Sequence, residues 1–189
     1  MDIPKDSPLV YVSFSADITQ PSTEGLIAVM AQCANAQVKQ VYLLLSTNGG
    51  QVINGINLYN VLKGMPFELI IHNVGSVNSI GTVVFLSGNK RYATQNSTFM
   101  FHGIGFDIEK QRFGEKQLQE KLSSLLNDQK RIATIVAQRT TLTEPEIAEF
   151  FRTEQTVNAS DAKNKGIIHE IRDVNLSQGC PILSLVFQR

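Results

Sequence analysis

Val41-Tyr42-Leu43-Leu44-Leu45, closing on Thr47-Asn48-Gly49-Gly50, is the stretch on which the fold turns. A continuous apolar run of this length suits a strand covered on both faces, and the glycines after it supply a tight turn. The next residues change period. Val52, Ile56, Tyr59 and Leu62 or Lys63 fall on helical spacing, and Gly64-Met65-Pro66 stops that helix. Upstream, Leu9 to Phe14 is β-branched and aromatic enough for a strand, and Ser22 or Thr23 caps a helix running to Ala34. Downstream, Phe67 to His72 reads as a third strand, Gly75 to Gly81 as a turn and Thr82 to Leu86 as a short buried helix. Strand, turn and helix have then repeated three times, which is the rhythm of a parallel-sheet α/β domain.

The second half is less regular. Arg91 to Thr94 and Thr98 to Phe101 read as two short strands joined by Gln95-Asn96-Ser97, either as a hairpin or as a strand-turn-strand corner. From about Gly114 to Arg139, Leu118, Leu122, Leu125, Gln129, Ile132 and Val136 recur every three or four residues between charged faces, which predicts the longest helix. Thr143-Glu144-Pro145-Glu146 has capping-box spacing for a short helix to about Phe151. Asn158 opens another that Gly166 ends, and Ile167 to Ile171 is expected to be the last strand. With no internal repeat, low-complexity tract or linker, residues 1–189 are expected to form a single domain.

At 189 residues and 42% hydrophobic content the chain can bury one sizeable core. Seventeen basic residues balance 17 acidic ones, so no net field draws the chain to nucleic acid or an anionic membrane surface. Cys33 and Cys180 stand far apart and alone, which excludes a disulfide framework, a zinc knuckle and a CxxC redox pair and fits a reducing cytosol. The start, MDIPKDSPLVYVSF, lacks the basic and long apolar regions of an export signal, and no apolar run approaches the roughly 20 residues a membrane helix needs. His72, His102 and His169 show no HExxH spacing, and carboxylate clusters are missing, so neither a metal nor a cofactor is expected.

The chemistry is expected at the glycine-bearing turns, where an open α/β sheet presents backbone N–H groups. Gly49-Gly50 lacks the Lys-Ser/Thr of a phosphate loop, which makes an oxyanion a better ligand than a nucleotide. Ser79 sits at a strand-turn-helix junction, a place that favours a serine nucleophile but also an ordinary helix cap. Val77 breaks the GxSxG pattern. His102 ends the apolar run from Thr98, as a base or as a core histidine satisfied locally.

Taken together and in order, these segments resemble the ClpP family, the proteolytic subunit of the Clp protease. Thr47-Asn48-Gly49-Gly50 is similar to that family's Ser-Pro-Gly-Gly turn, and Gly75-Ser76-Val77-Asn78-Ser79-Ile80-Gly81 to its nucleophile turn Gly-Gln-Ala-Ala-Ser-Met-Gly. Phe99-Met100-Phe101-His102 resembles the strand ending in its catalytic histidine, and Asn158 to Ile168 its Ser-Ala-Glu-Glu-Ala...Tyr-Gly-Leu-Ile segment. The resemblance implies an α/β fold of the ClpP/crotonase type, repeated ββα units with a protruding handle helix over about 114–139. It makes Ser79 the nucleophile, His102 the base, Glu154 the acid and the N–H groups of Gly50 and Ile80 the oxyanion hole. Glutamate stands where the family has aspartate, Asn48 where it has proline, and Gly103-Ile104-Gly105-Phe106-Asp107 where it has Gln-Pro and a glycine-rich run.

By the same resemblance the chain is a serine endopeptidase acting on peptides or unfolded protein inside a ring-shaped homo-oligomer, a heptamer or double heptamer, in the cytoplasm. An AAA+ unfoldase is the implied partner, although only about eight residues precede the first strand, where the family has a longer segment that meets the ATPase. Nucleic acid and membrane are not expected partners. Three other readings compete: a weak or inactive ClpP-like ring component, an acyl-CoA-binding crotonase-fold enzyme, and a Ser-Lys peptidase using Lys116 or Lys121.

Overall fold

The computed structural model describes residues 3–105 and 112–187. The first unit is β1 (Val10–Ser15) followed by α1 (Gln20–Asn35), and the second is β2 (Gln40–Thr47) followed by α2 (Val52–Lys63). The third is β3 (Glu68–Asn78) followed by α3 (Ile80–Phe85). Then come β4 (Lys90–Ala93), β5 (Thr98–Met100), α4 (Glu115–Arg139), α5 (Glu144–Thr153), β6 (Thr156–Asn158), α6 (Ala159–Asn164), β7 (Glu170–Ile171) and β8 (Ile182–Leu185). The strands form one sheet in the order β6-β5-β3-β2-β1-β8, with β4 also on β3 and β7 on β4. Every pairing is parallel except β5 with β6. This is the α/β architecture the repeated units imply.

The buried faces follow from the sequence pattern. Val10, Val12 and Phe14 of β1 and Val41, Leu43 and Leu45 of β2 enter one contiguous core with Leu26 and Met30 of α1, Leu58 of α2, Val83 to Leu86 around α3 and Phe99 of β5. The opposite residues of β2 (Tyr42, Leu44, Ser46) are only half-buried, so this strand is less completely covered than its apolar run suggests. The first helix is capped by Thr19 rather than Ser22 or Thr23. Ser22 is the third helical residue, and its hydroxyl accepts from the Thr19 N–H at 2.9 Å.

Gly75 to Asn78 is strand, not turn. Two pairings pull it out straight: β2 continues on one side to Thr47↔Val77, and β5 adds Ser76↔Thr98, Val77↔Phe99 and Asn78↔Met100 on the other. β3 thus has two neighbours along one edge, β4 against Ile70–Asn73 and β5 against Ser76–Asn78. The step from Leu45↔Asn73 to Thr47↔Val77 leaves extra residues in β3 at this fork. Buried Asn73 closes the gap, donating from Nδ2 to the Thr98 carbonyl at 2.8 Å and accepting from the Gly75 N–H at 3.0 Å. The two strands at 90–101 therefore form a corner, both parallel to β3, and not a hairpin. The expected last strand shrinks to Glu170–Ile171, and β8 follows it at the far edge of the sheet.

The long helix runs where its periodicity places it, but only Ile132 and Val136 are buried. Leu118, Leu122 and Leu126 remain 47%, 54% and 55% exposed, so the first half of α4 stands off the core. No helix among the described residues is long and apolar enough to cross a membrane.

Candidate active site

The site is assembled where the β2–α2 turn meets the β3–α3 junction. After β2, Gly49 and Gly50 take φ of 95° and 145°, values that residues with a Cβ avoid. The β1–α1 loop clamps this turn from the side, with the Ile18 N–H donating to the Gly49 carbonyl at 2.7 Å and the Gln51 N–H to the Ile18 carbonyl at 2.8 Å. A Cβ on Gly50 would stand 2.3 Å from the Ile18 carbonyl oxygen, and one on Gly49 would stand 2.6 Å from Ser79 Cβ. Glycine is required at both places by contact as well as by φ. The clamp was not legible in sequence, because it uses only backbone atoms 31 or more residues apart.

Ser79 is itself held in an unusual conformation, φ 57° and ψ −131°, outside the regions open to ordinary L-residues and worth roughly 1–3 kcal/mol of strain. Its peptide is pinned on both sides. Its N–H donates to the Met100 carbonyl at 2.8 Å, and its carbonyl accepts from the Thr82 N–H at 3.0 Å and the Thr82 hydroxyl at 2.8 Å. It occupies the N-cap position of α3, yet its side chain makes no capping bond. The bland helix-cap reading therefore fails for the hydroxyl, which lies against Gly49 with its Oγ 3.2 Å from where a Cβ would be.

The bond from Ser79 to Met100 also brings the end of β5 to the serine. His102, half-buried, follows two residues later. Its Nδ1 lies 2.6 Å from the carbonyl oxygen of Gly103, and no hydrogen bond joins its ring to Ser79 Oγ. Free-enzyme contacts of this kind commonly tighten only with substrate. Antiparallel pairing continues past β5, with the Phe101 N–H donating to the Gln155 carbonyl and the Gly103 N–H to the Phe151 carbonyl, both at 2.9 Å. That pairing lays the 151–155 segment alongside His102. Glu154 ends α5 in the left-handed region at φ 52°, exposed, with no hydrogen bond to His102. Phe106 and Asp107, which carry part of the departure after His102, lie outside the described residues.

A groove of about 760 Å³ opens beside the glycine turn. Ile18, Val52, Ile104 and Leu125 give it apolar walls, and Asp17, Lys121 and Asp128 charged ones. The two other histidines are elsewhere. His72 is fully buried against the Tyr42 hydroxyl, and His169 Nδ1 accepts from the Arg91 N–H at 3.2 Å. Cys33 is also fully buried, and burial pushes its thiol up to about 11, which disfavours a cysteine nucleophile. Lys116 points outward with an 89% exposed side chain, and Lys121 stands over the Phe113 ring at 5.3 Å.

The model of the Clp protease family matches residues 10–175, from the first residue of β1 to beyond β7. The chain belongs to the Clp protease family. Its relatives include the ATP-dependent Clp protease proteolytic subunit 2 of Tropheryma whipplei, 27% identical over 143 residues, with 71% of this chain and 74% of that protein covered. The proteolytic subunit 2 of Treponema pallidum is 24% identical over 170 residues, covering 85% and 80%. Among solved structures, a point mutant of ClpP1 from Listeria monocytogenes superposes with a TM-score of 0.75 at 20% identity, over 89% of this chain and 93% of that one. The superposition extends the likeness to the fold of this family member as a whole.

Proposed function

We propose that this Clp protease family member is a serine endopeptidase that cuts peptides and unfolded protein. The observation that carries the reading is Ser79: a strained residue whose hydroxyl forgoes its capping bond and lies against the glycine turn, one strand end from His102. Ser79 Oγ attacks the scissile carbonyl while His102 Nε2 takes its proton and later returns it to the leaving amine. The N–H groups of Gly50 and Ile80 receive the developing oxyanion, and among the described residues neither donates to a backbone carbonyl. The groove beside Gly49 and Gly50 receives the substrate side chain next to the cut. Glu154, at the position of the family's acid, lies in the segment that pairs with the end of β5 but is exposed and makes no hydrogen bond to His102, so the reading does not rest on it.

Ser79→Ala and His102→Ala are each expected to lower cleavage of short fluorogenic peptides by a thousandfold or more, without loss of fold. Unchanged cleavage by a clean Ser79→Ala preparation overturns the assignment. A second reading, a weak or inactive subunit, draws on the open Ser79–His102 contact and the unbonded Glu154. A fluorophosphonate probe separates the two, since only an activated Ser79 is labelled. As a peptidase, the chain would work in the cytosol within a homo-oligomeric ring, a heptamer or double heptamer, fed by an AAA+ unfoldase.

A further inference from the structure

We propose that the backbone carbonyl of Gly103, rather than the Glu154 carboxylate, is the group that holds the His102 imidazole in its working tautomer. The inference rests on the serine peptidase reading above and concerns the one side-chain hydrogen bond His102 makes among the described residues, Nδ1 to the Gly103 oxygen at 2.6 Å. A carbonyl oxygen can only accept, so in the neutral ring the proton sits on Nδ1 and the lone pair on Nε2. That is the tautomer a base facing Ser79 needs. The carbonyl is well placed to impose it, because His102 lies between two backbone anchors, Phe101 to Gln155 and Gly103 to Phe151, each 2.9 Å. Gly103 packs closely there: a Cβ would come within 3.2 Å of the Phe151 carbonyl oxygen.

Glu154 lies inside the same frame but is turned out. It caps α5 at φ 52°, is exposed, and its side chain forms no hydrogen bond among the described residues. The third member of a serine triad has separable tasks: choosing the tautomer, orienting the ring and stabilising the imidazolium that forms. A fixed neutral carbonyl performs the first two fully and the third through its dipole alone. Gly103 is thus a positioning residue, and the reacting set is Ser79, His102 and the two oxyanion amides.

The test reads the tautomer directly and separately from turnover. Magic-angle-spinning NMR of the full-length ¹⁵N-histidine-labelled protein at pH 8 resolves three histidines, with His102 assigned by its disappearance in His102→Gln. The expected result is protonated Nδ1 and unprotonated Nε2 at His102, unchanged in Glu154→Gln, with peptide kcat within about threefold of the parent. Gly103→Ala, which displaces the carbonyl, is expected to mix the tautomers and lower kcat more than it changes KM. A tautomer that becomes mixed in Glu154→Gln, or a loss of kcat approaching the ~10⁴-fold of a removed triad acid, overturns the proposal. Should Ser79→Ala leave cleavage untouched, the peptidase reading falls while the tautomer measurement still decides what holds the ring.

Discussion

Ser79 and Gly49 show how far single residues mark a candidate site. Both stand in turns that the sequence marks by glycine and by the family-like spacing, so their positions were legible, as was that of His102. The acceptor on His102 Nδ1 was not, because a contact from a side chain to the next carbonyl leaves no trace in residue types. Glu154 illustrates the converse: its place in the segment alongside His102 was readable from the motif, but its exposure and its left-handed backbone at the end of α5 were not. The contact between Gly49 and Ser79 carries a direct expectation. Gly49→Ala places a methyl 2.6 Å from Ser79 Cβ at a φ of 95°, so either the turn or the serine must move. Peptide kcat is expected to drop by at least a hundredfold while far-UV circular dichroism stays unchanged. Parental kcat in that variant would show the contact to be dispensable.

At the scale of elements, the long and strongly patterned ones were readable and the short ones were not. α2, α4 and α5 match their periodicity and stop signals to within a residue or two, and the capping box of Thr143 and Glu146 forms as spaced. β6 and β8, three and four residues long, escaped notice because so few positions carry no period and because both lie at sheet edges with exposed residues. The end of β3 was misread as turn since its straightness depends on β5, a partner 22 residues away. For α4 the sequence pattern was right but incomplete, as it does not say what covers the stripe. Leu118, Leu122 and Leu126 each keep about half their surface in water, forgoing part of the roughly 1.5–3 kcal/mol a buried leucine contributes. Covering by further copies of the chain is the expected remedy. Light scattering at micromolar concentration is expected to find a species many times 20.9 kDa, and Leu118→Glu with Leu122→Glu to yield smaller ones. A 20.9 kDa species alone in the parent protein would sink the ring.

Across the whole molecule, polar groups inside the fold join its parts alongside the apolar core, and none of this was visible in composition. Buried Arg91 donates to the carbonyls of Ile167, Arg139 and Gly166, while Arg139 donates to those of Leu86 and Gly88, tying the ends of α3, α4 and α6 without a carboxylate. His72 is another such group. Tyr42 and Tyr92 flank it, and Arg172 and Asp173 act on it from beyond β7. Burial above all holds its pKa below the ordinary 6.5, outweighing a backbone hydrogen bond at Arg172 that acts the other way. The unfolded chain therefore binds this proton more readily than the folded one, so stability is full above about pH 6.5 and declines as pH falls toward the lower folded value. Thermal unfolding is expected at lower temperature at pH 5.5 than at pH 7.5, by roughly 2–4 °C for each kcal/mol lost, and His72→Gln is expected to flatten that difference. An equally steep decline in the variant would assign it to other groups. The fork in β3 has a wider meaning for how substitutions act. The strands that pair below Asn73 set the register of the sheet, whereas the branch above it bears Ser79 and, through β5, His102. On the peptidase reading proposed above, a substitution on that branch bears on the chemistry, while the pairings below Asn73 that fix the register are left in place.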